Sequence, residues 1–215
     1  MPDHTVAVSI QDQRAEGYLD VLQMLSGAAL VVFMWSHMIL VASINFGSGA
    51  MNAIAGFLEA HYLAQAGGPL IALIFLFHFV LAMRKLPVRS REQKIMLQHS
   101  LRLNHRDTWL WMIQAATAMV ILLLGCIHMW TVLTDLPITA AKSAARVQKG
   151  WWLTFYAVLL PVVELHVGLG FYRIGVKWGW ITRANRTFFK SVEYKMTCGF
   201  IAIGAITLFT FYFIV

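Results

Sequence analysis

Five stretches of about twenty apolar residues constrain this chain more than any other feature of its sequence. A helix needs roughly 20 mainly apolar residues to cross about 30 Å of hydrocarbon. Segments at about 21–45, 64–85, 108–134, 150–173 and 196–215 meet that length, with Glu164 the one acid inside a span. Inside lipid every backbone N–H and C=O must pair within the protein, which leaves helices or a closed barrel. No stretch alternates with period two over strand length, and no internal repeat occurs, so a barrel and a solenoid are both disfavoured. With 59% hydrophobic and 13% charged residues, the chain is expected to be an all-α integral membrane bundle of five transmembrane helices, one membrane domain over 1–215.

The basic residues set its orientation. Arg84, Lys85, Arg89, Arg91, Lys94, Arg102 and Arg106 fall between the second and third spans, and Arg173, Lys177, Arg183, Arg186, Lys190 and Lys195 between the fourth and fifth. Positive loops stay in the cytoplasm, which predicts a cytoplasmic N-terminus and an outer C-terminus. The net charge of +7 is then an orientation signal, and nucleic-acid binding is disfavoured. The polar start MPDHTVAVSIQDQRAEGYLD lacks the basic, apolar and small-residue order of a signal peptide, so the first span is expected to stay in the mature chain. Residues 46–68 are expected to form a short helix on the outer surface that ends at Gly67, Gly68 and Pro69. Cys126 and Cys198 lie in different spans and opposite leaflets, too far apart for a disulfide, and read as packing residues.

Eight histidines are present. His4, His61, His99 and His105 lie outside the spans, whereas His37, His78, His128 and His166 each lie inside a different one. An imidazole in hydrocarbon needs partners for its ring nitrogens, and a hydrogen-bonded interhelical histidine would satisfy that need for any one of them. The set asks for more. His78 stands six residues before Arg84 and His166 seven before Arg173, which at 1.5 Å per residue puts both roughly 10 Å from the cytoplasmic boundary. His128, seven before Asp135, and His37, eight before Asn45, lie roughly 10 Å from the opposite boundary. Two levels with two histidines each match two haems, each iron taking one imidazole on either side, with the irons separated in depth by roughly 10 Å. A C-x-x-C-H attachment motif is missing, so the haems would be non-covalent b type. Zinc would need three or four ligands at one depth. Gly27, Gly125, Gly168 and Gly170 lie in the ligand-bearing spans, either as room for a flat macrocycle or as ordinary close helix contacts.

The motifs WSHM (35–38), FLFHF (75–79), GCIHMW (125–130) and VVELHVG (162–168) together resemble the single-chain, two-haem cytochrome b subunit of fumarate reductases and menaquinone-linked succinate dehydrogenases. The resemblance spans all five helices. It implies that His37 and His128 ligate the outer haem iron and His78 and His166 the inner one, the pairing that depth alone suggests. It further implies that the subunit sits in the bacterial inner membrane, anchors a flavoprotein and an iron–sulfur protein at the cytoplasmic face, exchanges electrons with menaquinone/menaquinol, and assembles as a dimer of heterotrimers.

Two carboxylates match the family as well. Glu59, 22 residues after His37, stands where the family has a glutamate essential for menaquinol oxidation; a solvated interfacial glutamate is the plainer reading. Glu164, two residues before His166, matches a glutamate proposed to move protons alongside the electrons; a carboxylic acid bonded to a neighbouring helix is the alternative. Gln23, Trp111 and Lys177 match the family's partners of the inner haem propionates, with Lys85 a further candidate and Arg146 a candidate for the outer haem. Trp and Lys at span ends are equally ordinary interface anchors. A family serine is Met24 here, with Ser26 nearby to replace it. Three other functions use similar parts: a succinate dehydrogenase running in the opposite direction, the cytochrome b of a hydrogenase or formate dehydrogenase, whose span count and histidine distribution differ, and a haem-free proton-coupled transporter, which broken helices or repeats would mark.

Overall fold

The computed structural model describes residues 10–213 except 88 and 104, so His4 and the start of the polar N-terminal segment lie outside the described residues. Among the described residues eight α-helices follow one another: α1 Ile10–Ala42, continued by a 3-10 turn Ser43–Phe46, α2 Ser48–Ala60, α3 Leu63–Met83, α4 Ser90–Leu103, α5 Arg106–Leu133, α6 Ala140–Gln148, α7 Trp152–Lys177 and α8 Arg186–Phe213. Five are long and apolar enough to cross a membrane, over Gln13–Phe46, Leu63–Met83, Arg106–Leu133, Trp152–Lys177 and Arg186–Phe213. The chain is a multi-pass, all-helical membrane protein.

Helix contacts define the bundle. Helix α1 lies against α3, α3 against α5, α5 against α7, and α7 back against α1, a closed ring of four; α8 sits outside it against α7 and α1. The outward faces carry exposed apolar side chains such as Val32, Ile39, Leu73, Val80, Leu123 and Ile203. In lipid such groups gain nothing by burial, so the spans associate through small residues and polar contacts instead. The tight apolar core forms at one end of the bundle: Ile44, Met51, Ala140, Ala144, Val147 and Phe211 close together where α2 and α6 pack against the ends of α1 and α8 and bury their apolar faces. Asn52 Oδ1 accepts from the Ala140 N–H at 2.8 Å, joining α2 to the first turn of α6.

Three sequence expectations shift. Helix α8 starts at Arg186 and α1 at Ile10, about ten residues before their apolar cores, because polar residues of good helical propensity extend a helix beyond the bilayer as readily as apolar ones. The outer segment does not end at Gly67, Gly68 and Pro69. It breaks earlier, at His61–Tyr62, where Tyr62 takes φ +55° and its N–H bonds the Glu59 carbonyl at 3.0 Å. The Gly-Gly-Pro run lies inside α3, and the reason is contact: a Cβ at Gly68 would overlap the Leu133 side chain of α5. The loops 84–107 and 135–149, read for charge, contain α4 and α6; in α4 Met96 and Ser100 turn inward while charged residues face out, a 3.6-residue pattern that a count of basic residues passes over.

Candidate functional site

The four intramembrane histidines sit on the four helices of the closed ring, and each depth pair comes from diagonally opposed members: His37 on α1 with His128 on α5, His78 on α3 with His166 on α7. His37 and His128 are brought together edge to face. The His37 and His128 ring centroids are 5.9 Å apart with the planes at 63°. Two metal–imidazole bonds of about 2 Å leave roughly 6 Å between ring centroids, so the separation fits one iron. Phe33 stacks on His37 at 5.7 Å, and Tyr156 on α7 meets His128 edge-on, its hydroxyl 3.3 Å from Nδ1.

At His78 and His166 the hydrogen-bond partners favour one ring nitrogen as the free one. His78 Nδ1 lies 3.0 Å from Ser26 Oγ of α1, and the Ser26 hydroxyl donates to the Leu22 carbonyl at 2.8 Å. With its proton committed, that oxygen accepts from the ring, so Nδ1 carries the hydrogen. His166 repeats the device: Nδ1 lies 3.1 Å from both Thr117 Oγ1 and the Gln114 carbonyl, while Thr117 donates to the Ile113 carbonyl at 2.8 Å. In both rings Nε2 keeps a lone pair, as a metal ligand oriented by an outer hydrogen bond requires. Among the described residues no three His, Cys, Asp or Glu side chains form a metal-holding group.

The glycines of the ligand-bearing spans divide. A Cβ at Gly27 would stand 2.9 Å from His78 Cε1, so this glycine makes room for the His78 ring itself. Gly125 faces Phe75 at ordinary contact, Gly170 faces Gln114 Nε2, and Gly168 faces Thr197 and Glu193 of α8. These three admit neighbouring helices.

Glu164 is 2% exposed and its Oε1 has no hydrogen-bond partner. It borders a cavity of about 10 Å³ shared with Trp35, Gly168, Glu193 and Thr197, room for about a single water. A carboxyl wholly satisfied by a neighbouring helix is therefore not what the fold provides. Glu59, near the end of α2 and half-buried, receives a hydrogen bond from Gln65 Nε2 at its Oε1; Gln65 Oε1 is buried without a partner.

The cationic candidates already have anionic company. Lys85 and Lys177 both reach Asp20 on α1, the latter at 2.5 Å. Arg146 binds Asp135 at 2.6 Å beside Lys142, and the hydrogen bond from Lys142, with Arg146 adding its charge, holds the Asp135 carboxyl below the usual carboxylate range. Trp111 lies near the start of α5, one turn before Gln114, whose Oε1 accepts from Arg173 at 2.8 Å. The Gln23 carbonyl accepts from Ser26 at 3.1 Å. Sequence reasoning missed Thr117, Tyr156, Asp20 and Asp135. Only Asp20, an acid at the lip of a span facing two basic loops, carried a readable signal.

Residues 90–211 match the family of succinate dehydrogenase/fumarate reductase transmembrane subunits. The fumarate reductase cytochrome b subunit of Helicobacter pylori is 36% identical over 199 residues, covering 88% of this chain and 78% of that protein. The protein of the same name from Wolinella succinogenes is 33% identical over 210 residues, covering 90% and 81%. On the helical ring, its paired histidines and these similarities, the chain belongs to the succinate dehydrogenase/fumarate reductase transmembrane subunit family, on the side of the fumarate reductase cytochrome b subunits.

Proposed function

We propose that this chain is the membrane anchor of a fumarate reductase in a bacterial inner membrane, carrying electrons from menaquinol, by way of two b haems, to iron–sulfur and flavoprotein subunits that reduce fumarate. The observation that supports it most is the pairing of four intramembrane imidazoles on diagonal helices, the outer two 5.9 Å apart. Haem b, when bound, would supply one-electron redox chemistry within the membrane that these imidazoles and carboxyls do not themselves supply.

The residues then take these roles. His37 and His128 hold the outer group through their free ring nitrogens, and His78 and His166 the inner one. Ser26 and Thr117 orient the inner imidazoles, and Tyr156 orients His128. Lys85, Lys177, Gln23 and Trp111 serve the inner propionates and Arg146 the outer ones, since a carboxylate near the membrane surface needs cations or donors. Glu59 accepts the proton from menaquinol, with Gln65 holding its carboxyl in place. Glu164 moves a proton within the membrane, a role supported by its buried, unpartnered oxygen beside a water-sized cavity. The family model covers both enzyme directions; the fumarate-reducing one is favoured by the relatives' names.

The test is made on the detergent-purified complex. Two b haems per chain by pyridine haemochrome and menaquinol-dependent fumarate reduction abolished by Glu59→Gln are expected. A fully assembled complex without haem would overturn the reading.

A further inference from the structure

Asp20 gathers cations from two other helices onto a single carboxylate. Lys177, at the end of α7, reaches it at 2.5 Å; Arg84, just past α3, at 3.2 Å; and Lys85 closes the set. Arg84 also binds Glu16 at 2.7 Å. Three of the four histidine-bearing helices are thus tied together at one point, and the Asp20 side chain is 24% exposed there. The charges do not cancel: Arg84, Lys85 and Lys177 against Asp20 and Glu16 give +3 − 2 = +1.

The cluster stands in register with the inner pair. Asp20 is six residues before Ser26, which bonds His78, and Arg84 is six residues after His78. Both counts put the cluster roughly 9 Å along the helix axes from the imidazoles, at the end of the bundle nearer to them. A lysine alone there would sample many rotamers; two lysines drawn to one fixed carboxylate sample few.

We propose that Asp20 is a positioning residue for the inner haem: it holds Lys85 and Lys177 at this end of the bundle so that the anionic arms of the group meet oriented cations with one surplus positive charge. The proposal rests on the haem reading given above. Asp20 itself touches no part of the group and acts through the two lysines. Its loss removes one negative charge but lets two cations leave the anionic arms; the loss of the two cations outweighs that of the one anion and favours the oxidised, more positive iron.

Redox titration of the visible spectrum of the purified complex tests it. Asp20→Asn is expected to lower the midpoint potential of the inner haem and leave the outer one in place, whereas a rise, the effect of the lost charge alone, overturns the proposal; Asp20→Glu restores most of the wild-type value. Asp135→Asn, at the other end of the bundle, is expected to move only the outer haem. In a Lys85→Gln/Lys177→Gln background the Asp20→Asn shift shrinks, because the residue has nothing left to position. Two haems with an unmoved inner potential in Asp20→Asn, equal shifts of both haems, or the full shift in the double-lysine background each overturns the proposal while leaving the haem reading intact. Wild-type complex without haem overturns the haem reading and this proposal with it. Should Asp20→Asn fail to assemble, the Lys85→Gln/Lys177→Gln complex decides: a lowered inner potential with the outer one in place is expected, and an unmoved inner potential overturns the proposal.

Discussion

Gly27→Ala isolates the geometric demand of the inner site. The added Cβ would sit 2.9 Å from His78 Cε1, whereas carbon atoms in contact prefer roughly 3.5–4.0 Å. The two must separate by about 0.6 Å or more. A free side chain would swing aside, but His78 is held at 3.0 Å by Ser26, and an iron ligand tolerates displacements of only about 0.2 Å. Either the ring leaves its bond to Ser26, costing about 0.5–1.5 kcal/mol, or α1 and α3 move apart, an overpacking cost of about 1–3 kcal/mol. The helix itself gains up to about 1 kcal/mol from replacing glycine, so the global fold is expected to hold. The penalty falls on inner-haem affinity, lowered about tenfold to a hundredfold at 1.4 kcal/mol per decade. Haem content per assembled chain, by pyridine haemochrome after washing, is expected to fall from two toward one, with the outer centre spectrally unchanged. Two haems with unchanged potentials in Gly27→Ala would refute the claim that this glycine exists to admit the ligand ring.

Gly168→Ala is the contrasting case: its Cβ would meet Thr197 and Glu193 of α8, so thermal stability is expected to drop by about 1–3 kcal/mol while both haems stay. Loss of one haem there would contradict the division of the glycines. Tyr156→Phe removes the hydroxyl beside His128 Nδ1; as one hydrogen bond is worth about 0.5–1.5 kcal/mol, the outer haem potential is expected to rise by about 20–65 mV, at 59 mV per decade for one electron, with the inner haem fixed. A shift of the inner haem instead would contradict the assignment of levels. Glu164→Gln keeps the shape and removes the ionisable proton, so haem content and potentials are expected to persist while quinol-linked turnover falls at least tenfold, as for loss of a proton-transfer group; wild-type turnover would remove Glu164 from proton transfer.

Span number was legible because a bilayer imposes one length and one rise per residue, so position along the chain converts directly into depth. That arithmetic put His37 with His128, and the fold places them ring to ring. Depth says nothing of azimuth, and so Thr117, Tyr156 and Gln65 were not found: each acts from a neighbouring helix through a contact that depends on helix rotation. The Gly67-Gly68-Pro69 run misled for a related reason. Locally it spells a helix end, but the approach of Leu133 places the glycine inside α3. Helices α4 and α6 were hidden by the same basic residues that made their segments useful for orientation.

The central claim is tested most directly by redox-resolved visible spectra of the complex carrying His37→Ala, His78→Ala, His128→Ala or His166→Ala. The account predicts that His37→Ala and His128→Ala each abolish one and the same b centre, and that His78→Ala and His166→Ala each abolish the other. A variant that assembles with both centres intact, or two members of one level abolishing different centres, would contradict it.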